Sequence, residues 1–546
     1  MKTINLKNKF SLYIIGVIAL TITSCDVDRL PETAIADPSY WQNENDLKAA
    51  TNYLYTYLPG LPETSDVWSD DAFGTASNNI SDGSRITPSS DSYYSDQYNL
   101  IRAANNIIEK STRVIEAGVD VNTVNWYVSE AKFYRAWGYF NLVRRYGAVP
   151  LILKTLVENS PELQAPKASR EEIFNSIYDD LDFAANNLRT PSLLGESNYG
   201  RISSTAANAF KSRVALFEGT RAKFHGYGDS KKHLMLAKSA AKKVIDSKEH
   251  SIYPNYFDLF QYEGEGIQNK ENILVRQYGK SIEESISSHT TQRTLETGAV
   301  NPTKALADSY LMSDGLPINI SSNYKFPKST LEVFENRDPR MSATFFKKGD
   351  SYTGTQPVFN VPSLSFQRTG FANRRYANIQ DWQNSRSYID RTLIRYAEVL
   401  LNYAEAAYEL NETISDDDID ISINQLRNRE TVNMPELSNN FINSNQLDMR
   451  EEIRRERRVE LALEGFRYWD IIRWKTAEIE LPKTVLGNFF FEEEFGEVVK
   501  PELTSENYII IQKSDTRNFD PGKDYLWPIP TNQISLNPNL EQNPKW

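Results

Sequence analysis

"DQYNLIRAANNIIEKSTRVIEAGVDVNTVNWYVSEAKFYRAWGYFNLVRRYGAVP", residues 96–150, decides how the chain folds. Leu100, Ala103, Ala104, Ile107 and Ile108 recur at helical spacing and predict a helix over 96–117. A second helix is predicted over 124–146, where Gly147 and Pro150 stop it. Two helices joined by so short a turn form an antiparallel pair. One such pair cannot bury its apolar face alone, so pairs of this kind stack on one another.

Outward from this pair the same texture continues. Helices are predicted over 44–58, 204–223 and 231–246, and over 169–188, where Ser169 and Glu172 have the spacing of a capping box. Residues 250–385 are rich in Gly, Pro, Asn and Ser with short apolar runs, and read as loops with a few short strands or helices. Helices return over 392–410, 418–429 and 447–475, and 477–546 is irregular again. The expected fold is mainly α, with antiparallel helical pairs stacked as a tetratricopeptide-like solenoid beside a loop-rich part. An unrelated helical bundle is the alternative from periodicity alone. The expected organisation is a leader at 1–24, a helical part at 25–250, and a C-terminal part at 251–546 packed with it as one unit. That last part divides into loop-rich 251–390, helical 391–475 and irregular 476–546.

The N-terminus carries a different signal. Lys2, Lys7 and Lys9 precede an apolar run at 10–22 that is too short for a spanning helix. Ile22-Thr23-Ser24-Cys25 then fits the lipobox of bacterial lipoproteins, and Cys25 is the only cysteine in 546 residues. Cys25 is thus the expected lipidation site, with several acyl chains giving a firm anchor where one would not. An ordinary secretory leader with a bystander cysteine is the alternative. Net charge is −12, and losing the leader removes three lysines and no acids. So acidic a chain, with no long basic run, does not suit nucleic acid as a partner.

Eight segments, in order, resemble the SusD/RagB-type glycan-binding lipoproteins of bacterial nutrient uptake. They are "YWQNENDLKAATNYLY" from Tyr40, "IRAANNIIEK" from Ile101, "EAKFYRAWGYFNLVRRYGAVPLI" from Glu130 and "NPTKALADSYLMSDG" from Asn301, followed by "RDPRM" from Arg337, "LIRYAEVLLNYAEAAYELN" from Leu393, "IRRERRVELALEGFRYWDIIRW" from Ile453 and "LWPIPTNQISLNPNLEQNP" from Leu526. The resemblance implies four tetratricopeptide-like units and a ligand site in the irregular part. It also implies a non-catalytic protein on the outer membrane, facing the cell exterior, beneath which sits a SusC-like TonB-dependent transporter.

Trp41, Trp126, Trp137, Trp469, Trp474 and Trp527 fall in the shared segments and are expected to be packing residues. Trp546 ends the chain. Trp68 and Trp382 remain, both in polar, loop-like sequence. An indole face complements the C–H face of a pyranose, whose hydroxyls need planar polar groups at the ring edge. Around Trp68 stand Asp70, Asp71, Asn78, Asn79, Arg85, Tyr93 and Tyr94. The resemblance singles out this loop and the one with Arg276, Gln277, Tyr278 and His289. Arg374, Arg375 and Tyr376 precede Trp382 in a third loop. The first loop, and Trp68 within it, is the favoured ligand contact.

Catalytic patterns fail. "YGKS" at 278–281 would need glycine where Leu274 stands, and neither a G-x-S-x-G nor an H-E-x-x-H sequence occurs. "FEEEFGE" from Phe491 reads as a solvated loop. "DDDID" from Asp416 spaces acids like a calcium loop, but Ile421 and Arg427 occupy the glycine and final glutamate positions, so an acidic helix start is expected. No cofactor and no metal is expected. Three function classes follow: a glycan-binding lipoprotein that feeds a transporter, a peptide- or protein-binding lipoprotein of the same design, and a lipid-anchored glycoside hydrolase.

Overall fold

The computed structural model describes residues 40–281, 287–354, 356–496 and 500–546. The lipobox and Cys25 lie outside the described residues. Nine helices carry the scaffold: α1 (Glu44–Leu54), α2 (Ser92–Glu116), α3 (Val121–Tyr146), α4 (Arg170–Asn187), α5 (Ser204–His225), α6 (Ser230–Ser247), α7 (Tyr396–Asn411), α8 (Met449–Glu460) and α9 (Arg467–Arg473). From α2 to α8 each helix packs on the next, so antiparallel neighbours stack as the pairing in the sequence predicts. The fold is mainly helical, with the strands confined to short pairs. The capping box at Ser169 and Glu172 is formed, and Asn43 with Asp46 forms a second at the start of α1.

Helix α3 is buried on nearly every side because α2 and α4 flank it. Gly138 permits the approach of α2: a Cβ there would lie 2.9 Å from Ile101 Cγ1. Gly219 does the same for α5 against Leu234 of α6, also at 2.9 Å. One apolar core runs from Trp41 through all these helices to Leu540.

Three predicted helices are broken. Residues 391–395 form a strand, β4 (Arg391–Arg395), antiparallel to β2 (Asn272–Arg276), and α7 starts only at Tyr396. Residues 447–475 split into α8 and α9 around Leu463 and Gly465, whose φ angles are +59° and +81°. Residues 418–429 divide into Asp416–Asp420 and Ile423–Arg427. The acidic start expected at "DDDID" is present, with the Ser415 hydroxyl accepting from the Asp418 amide. Two further strand pairs join distant segments: β1 (Ala72–Phe73) with β3 (Asn301–Pro302), and β5 (Val485–Phe489) with β6 (Tyr508–Gln512).

A buried ion network explains the first two breaks. Helix α8 aims Glu456 and Glu460, one turn apart, into the interior. Glu460 accepts from Arg395 at 2.7 Å, Arg429 at 2.7 Å and Arg340 at 2.9 Å. Glu456 takes Arg340 at 2.6 Å and Arg427 at 2.8 Å. Glu271 pairs with Arg395 and Arg429, and Asp338 with Arg340. Glu464, delivered by the turn after α8, pairs with Arg375 at 3.0 Å and Arg395 at 2.7 Å. Five carboxylates thus meet five arginines, and the charges balance. Burial pushes the Glu460 carboxyl up, but Arg429, Arg395 and Arg340 outweigh it and hold it well below the usual carboxylate range.

Removing one member of such a network leaves buried charge uncompensated. Glu460→Ala is expected to destabilise the protein by about 3–5 kcal/mol, measured by denaturant unfolding. The chain's four histidines are all shifted down, chiefly by burial: His225 to about 3, His289 to about 4, and His233 and His250 in the same direction. The unfolded chain therefore binds protons between about pH 6.5 and 4 that the folded chain does not. Stability from these groups is fully present above pH ~6.5 and falls as pH drops toward 4. Unfolding midpoints measured across that window should decline with acidification.

Candidate functional site

Most residues expected in the first loop prove to be framework. Trp68 closes a 3-10 turn (Ser65–Trp68) and is half-buried. Tyr468, Trp469 and Trp527 stand edge-to-face around it at 5.8, 6.5 and 5.4 Å, and the Arg145 guanidinium lies 5.5 Å from its ring centre. Rings and a guanidinium hold it on these sides, and its remaining surface lines a cavity against α3 and α9 instead of facing open solvent. Asp70 accepts from Arg458 and Arg467 at 2.8 Å each, and Asp71 from Arg458 at 2.7 Å. Burial opposes ionisation of Asp70, but the two arginines prevail and hold its pKa low. Arg85 is buried between Trp527 and Trp546. Tyr93 lies under Arg145 at 3.5 Å, and Tyr94 is buried against Tyr98 and Tyr146, its hydroxyl pushed to about 12 by burial.

The second and third loops are likewise partly structural. Arg276 donates to the Leu58 carbonyl, and the Tyr278 hydroxyl accepts from the Leu61 amide at 2.7 Å, so both pin the first loop from behind. His289 is buried, bonded to the Ile389 carbonyl and Thr291 hydroxyl. Arg375 is buried in the ion network, 3.8 Å over Phe260, and Tyr376 packs in the core. Tyr278, His289, Arg375 and Tyr376 are buried, and Arg276 is half-buried.

Asn78, Asn79 and Trp382 are different. Strands β1 and β3 carry the tip of the first loop, 74–79, beside residues 297–302. Asn79 is exposed, and Asn78 is half-buried with its Oδ1 on the Ile80 amide. Arg368 donates to the Thr75 carbonyl at 2.9 Å, tying 366–368 to the same tip. Phe366, half exposed, packs its carbonyl against Gly298, where φ is +66° and a Cβ would lie 2.1 Å from that oxygen; only glycine fits. Gln367 donates to the Glu296 carbonyl at 3.1 Å. Glu296 in turn accepts from the indole N–H of Trp382 at 2.9 Å and from Arg293 at 2.8 Å. The Arg293 guanidinium lies 4.8 Å from the half-buried indole and reaches Ser385 at 3.0 Å. Hydrogen bonds and ion pairs thus link the segments that carry Trp382, Arg293, Glu296, Phe366, Arg368 and the 74–79 tip.

The sequence profile described as the SusD family matches residues 260–546, more than half of the chain. This chain belongs to the SusD family. A second profile, described as starch-binding and associating with the outer membrane, matches residues 34–216. A SusD-like protein of Bacteroides ovatus is 27% identical over 505 residues, covering 85% of this chain and 82% of the relative. SusD-like protein P38 of Formosa agariphila is 24% identical over 98% of this chain and 99% of its own length. A solved SusD-like carbohydrate-binding protein of Bacteroides fragilis superposes with a TM-score of 0.76 at 26% identity, covering 92% of this chain and 99% of that one.

SusD-family proteins are binding proteins, and this chain is not an enzyme. Partners that hold the first loop lie in the segments that carried the resemblance: Arg458, Arg467, Tyr468 and Trp469 belong to "IRRERRVELALEGFRYWDIIRW". The exposed face uses residues outside those segments. Sequence reasoning passed over Phe366, Arg368, Arg293 and Glu296. Phe366, in "SLSFQRTG", carries the same signal as Trp382, a lone aromatic in polar loop sequence.

Trp68→Ala should therefore act on stability, costing somewhat less than the ~3–5 kcal/mol of a fully buried Trp→Ala change. Trp382→Ala should leave the unfolding midpoint close to wild type. Parallel denaturation curves of the two variants test the assignment.

Proposed function

We propose that this SusD-family chain binds an oligosaccharide or polysaccharide on the face formed by 74–79, 293–298, 366–368 and 378–385. One observation carries the reading: Trp382 and Phe366 are partly exposed aromatics on segments bonded to one another, among the polar groups of Arg293, Glu296, Arg368 and Asn79. Each ring offers a platform for a pyranose C–H face, and the planar groups serve the hydroxyls. Ion pairs and glycine turns fix these groups before ligand arrives, which lowers the ordering cost of binding. A structural neighbour described as containing xylogluco-oligosaccharide shares the fold, at TM-score 0.64 and 22% identity over 90% of this chain and 97% of that one. That ligand is the neighbour's own, and it supports a glycan as the class to test first.

In this reading Cys25 is lipidated and tethers the protein to the outer membrane, facing the exterior. The bound glycan passes to a SusC-like TonB-dependent transporter, and no bond is broken on the way. No described helix is long and apolar enough to cross a membrane, which leaves anchoring to the N-terminus in this account.

Affinity gels cast with a panel of polysaccharides should retard the wild-type protein on at least one glycan. Trp382→Ala and Phe366→Ala should each weaken that binding by about 1–3 kcal/mol, by analogy with stacking of bases on aromatic rings. Retention by immobilised peptides and by no glycan would favour a peptide ligand instead. Cys25→Ala should move the protein from the membrane to the soluble fraction.

A further inference from the structure

The scaffold encloses a cavity of about 250 Å³ between α2, α3, α5, α9 and the first loop. It is lined by aromatic rings, among them Trp68, Tyr93, Phe140 and Trp469, and its lining extends to exposed Pro59. Arg144 and Arg145, consecutive on α3, both reach it. Arg145 is only 6% exposed, held between Tyr93 at 3.5 Å and Trp527 at 4.1 Å. Arg144 lies 4.5 Å over Trp469, and its Nη2 is 3.4 Å from the Tyr93 hydroxyl.

The other arginines lining the cavity have carboxylate partners. Arg213 holds Glu398 at 2.6 Å, Arg391 pairs with Glu63, Arg457 with Asp470, and Arg473 with Glu405 and Asp470. Among the described residues Arg144 and Arg145 form no ion pair; their hydroxyl partners are Tyr93 and Tyr146, and the Nε–H of each has no hydrogen-bond acceptor. Aromatic faces offset part of the cost of burying these two charges. They do not accept the N–H groups, and an unmet donor on a buried charged group is expensive. A guanidinium fork is best satisfied by a planar or tetrahedral oxyanion.

We propose that this cavity is a binding pocket for an oxyanion, a carboxylate or sulfate group, held by Arg144 and Arg145 within the aromatic cage. The pocket is built from elements other than the Trp382 face and does not depend on the glycan reading. The group could belong to a free inorganic ion or to an acidic sugar, whose ring the aromatic walls suit.

Isothermal titration of the purified full chain with sodium sulfate, and separately with sodium glucuronate, tests this at constant background salt. Saturable one-to-one binding of either ligand at millimolar concentration is expected. Sulfate alone identifies the inorganic ion, and glucuronate alone the acidic sugar. Arg144→Gln and Arg145→Gln should each weaken binding at least about tenfold. Should the glutamine variants fail to fold, Arg145→Lys, which keeps the charge and loses the fork, should still bind measurably less well. Wild-type protein that binds neither ligand would overturn the proposal, as would affinity unchanged in the arginine variants.

Discussion

The Glu460 carboxylate, fully buried and held by Arg340, Arg395 and Arg429, is the interaction around which the loop-rich half is organised. Those arginines come from three separate segments, and none of them shares a helix with Glu460. An isolated carboxylate at that depth would be protonated or would draw in water. Because its partners surround it, the charge instead fixes where a short helix, the strand β4 and the turn at Arg429 must stand relative to α8. Apolar contacts alone would fix those positions less narrowly, since they are non-directional. The loops that carry Trp382 and Phe366 hang from this frame.

The helical half was legible because burial on one or more faces of a helix writes a 3.6-residue pattern into the sequence. Helices α2 to α6 appear within a few residues of where that pattern places them. The breaks at 391–395 and 461–466 were not legible: "LIRYAEVLL" and "VELALEGFRYW" keep helical spacing, and the structure breaks them to deliver Arg395 and Glu464 to partners remote in sequence. Periodicity reports local neighbours and is silent about an ion pair between β4 and the turn after α8.

Trp68 shows the same limit at the candidate site. "DVWSDDAF" looks like a solvated loop because two acids follow the indole. Those acids are buried, and their partners Arg458 and Arg467 lie nearly four hundred residues away, Arg458 at 387 positions from Asp71. Polarity in sequence thus marked a buried ion pair, and the aromatic beside it packs half-buried against the core. Asn79 is exposed and Trp382 half-buried, so the groups that hold their segments leave these two side chains partly accessible. The family resemblance sharpened the scaffold more than the site, since its shared segments are the ones that build the frame.

A rigid charged frame and a polar aromatic face have different responses to ligand, and that difference can be measured. Hydrogen exchange of the protein with and without a retained glycan tests the account most directly. Protection is predicted at 74–79, 293–298, 366–368 and 378–385, with α3 and α8 unchanged. Protection confined to the segment around Trp68, with none at 366–368 or 378–385, would contradict it.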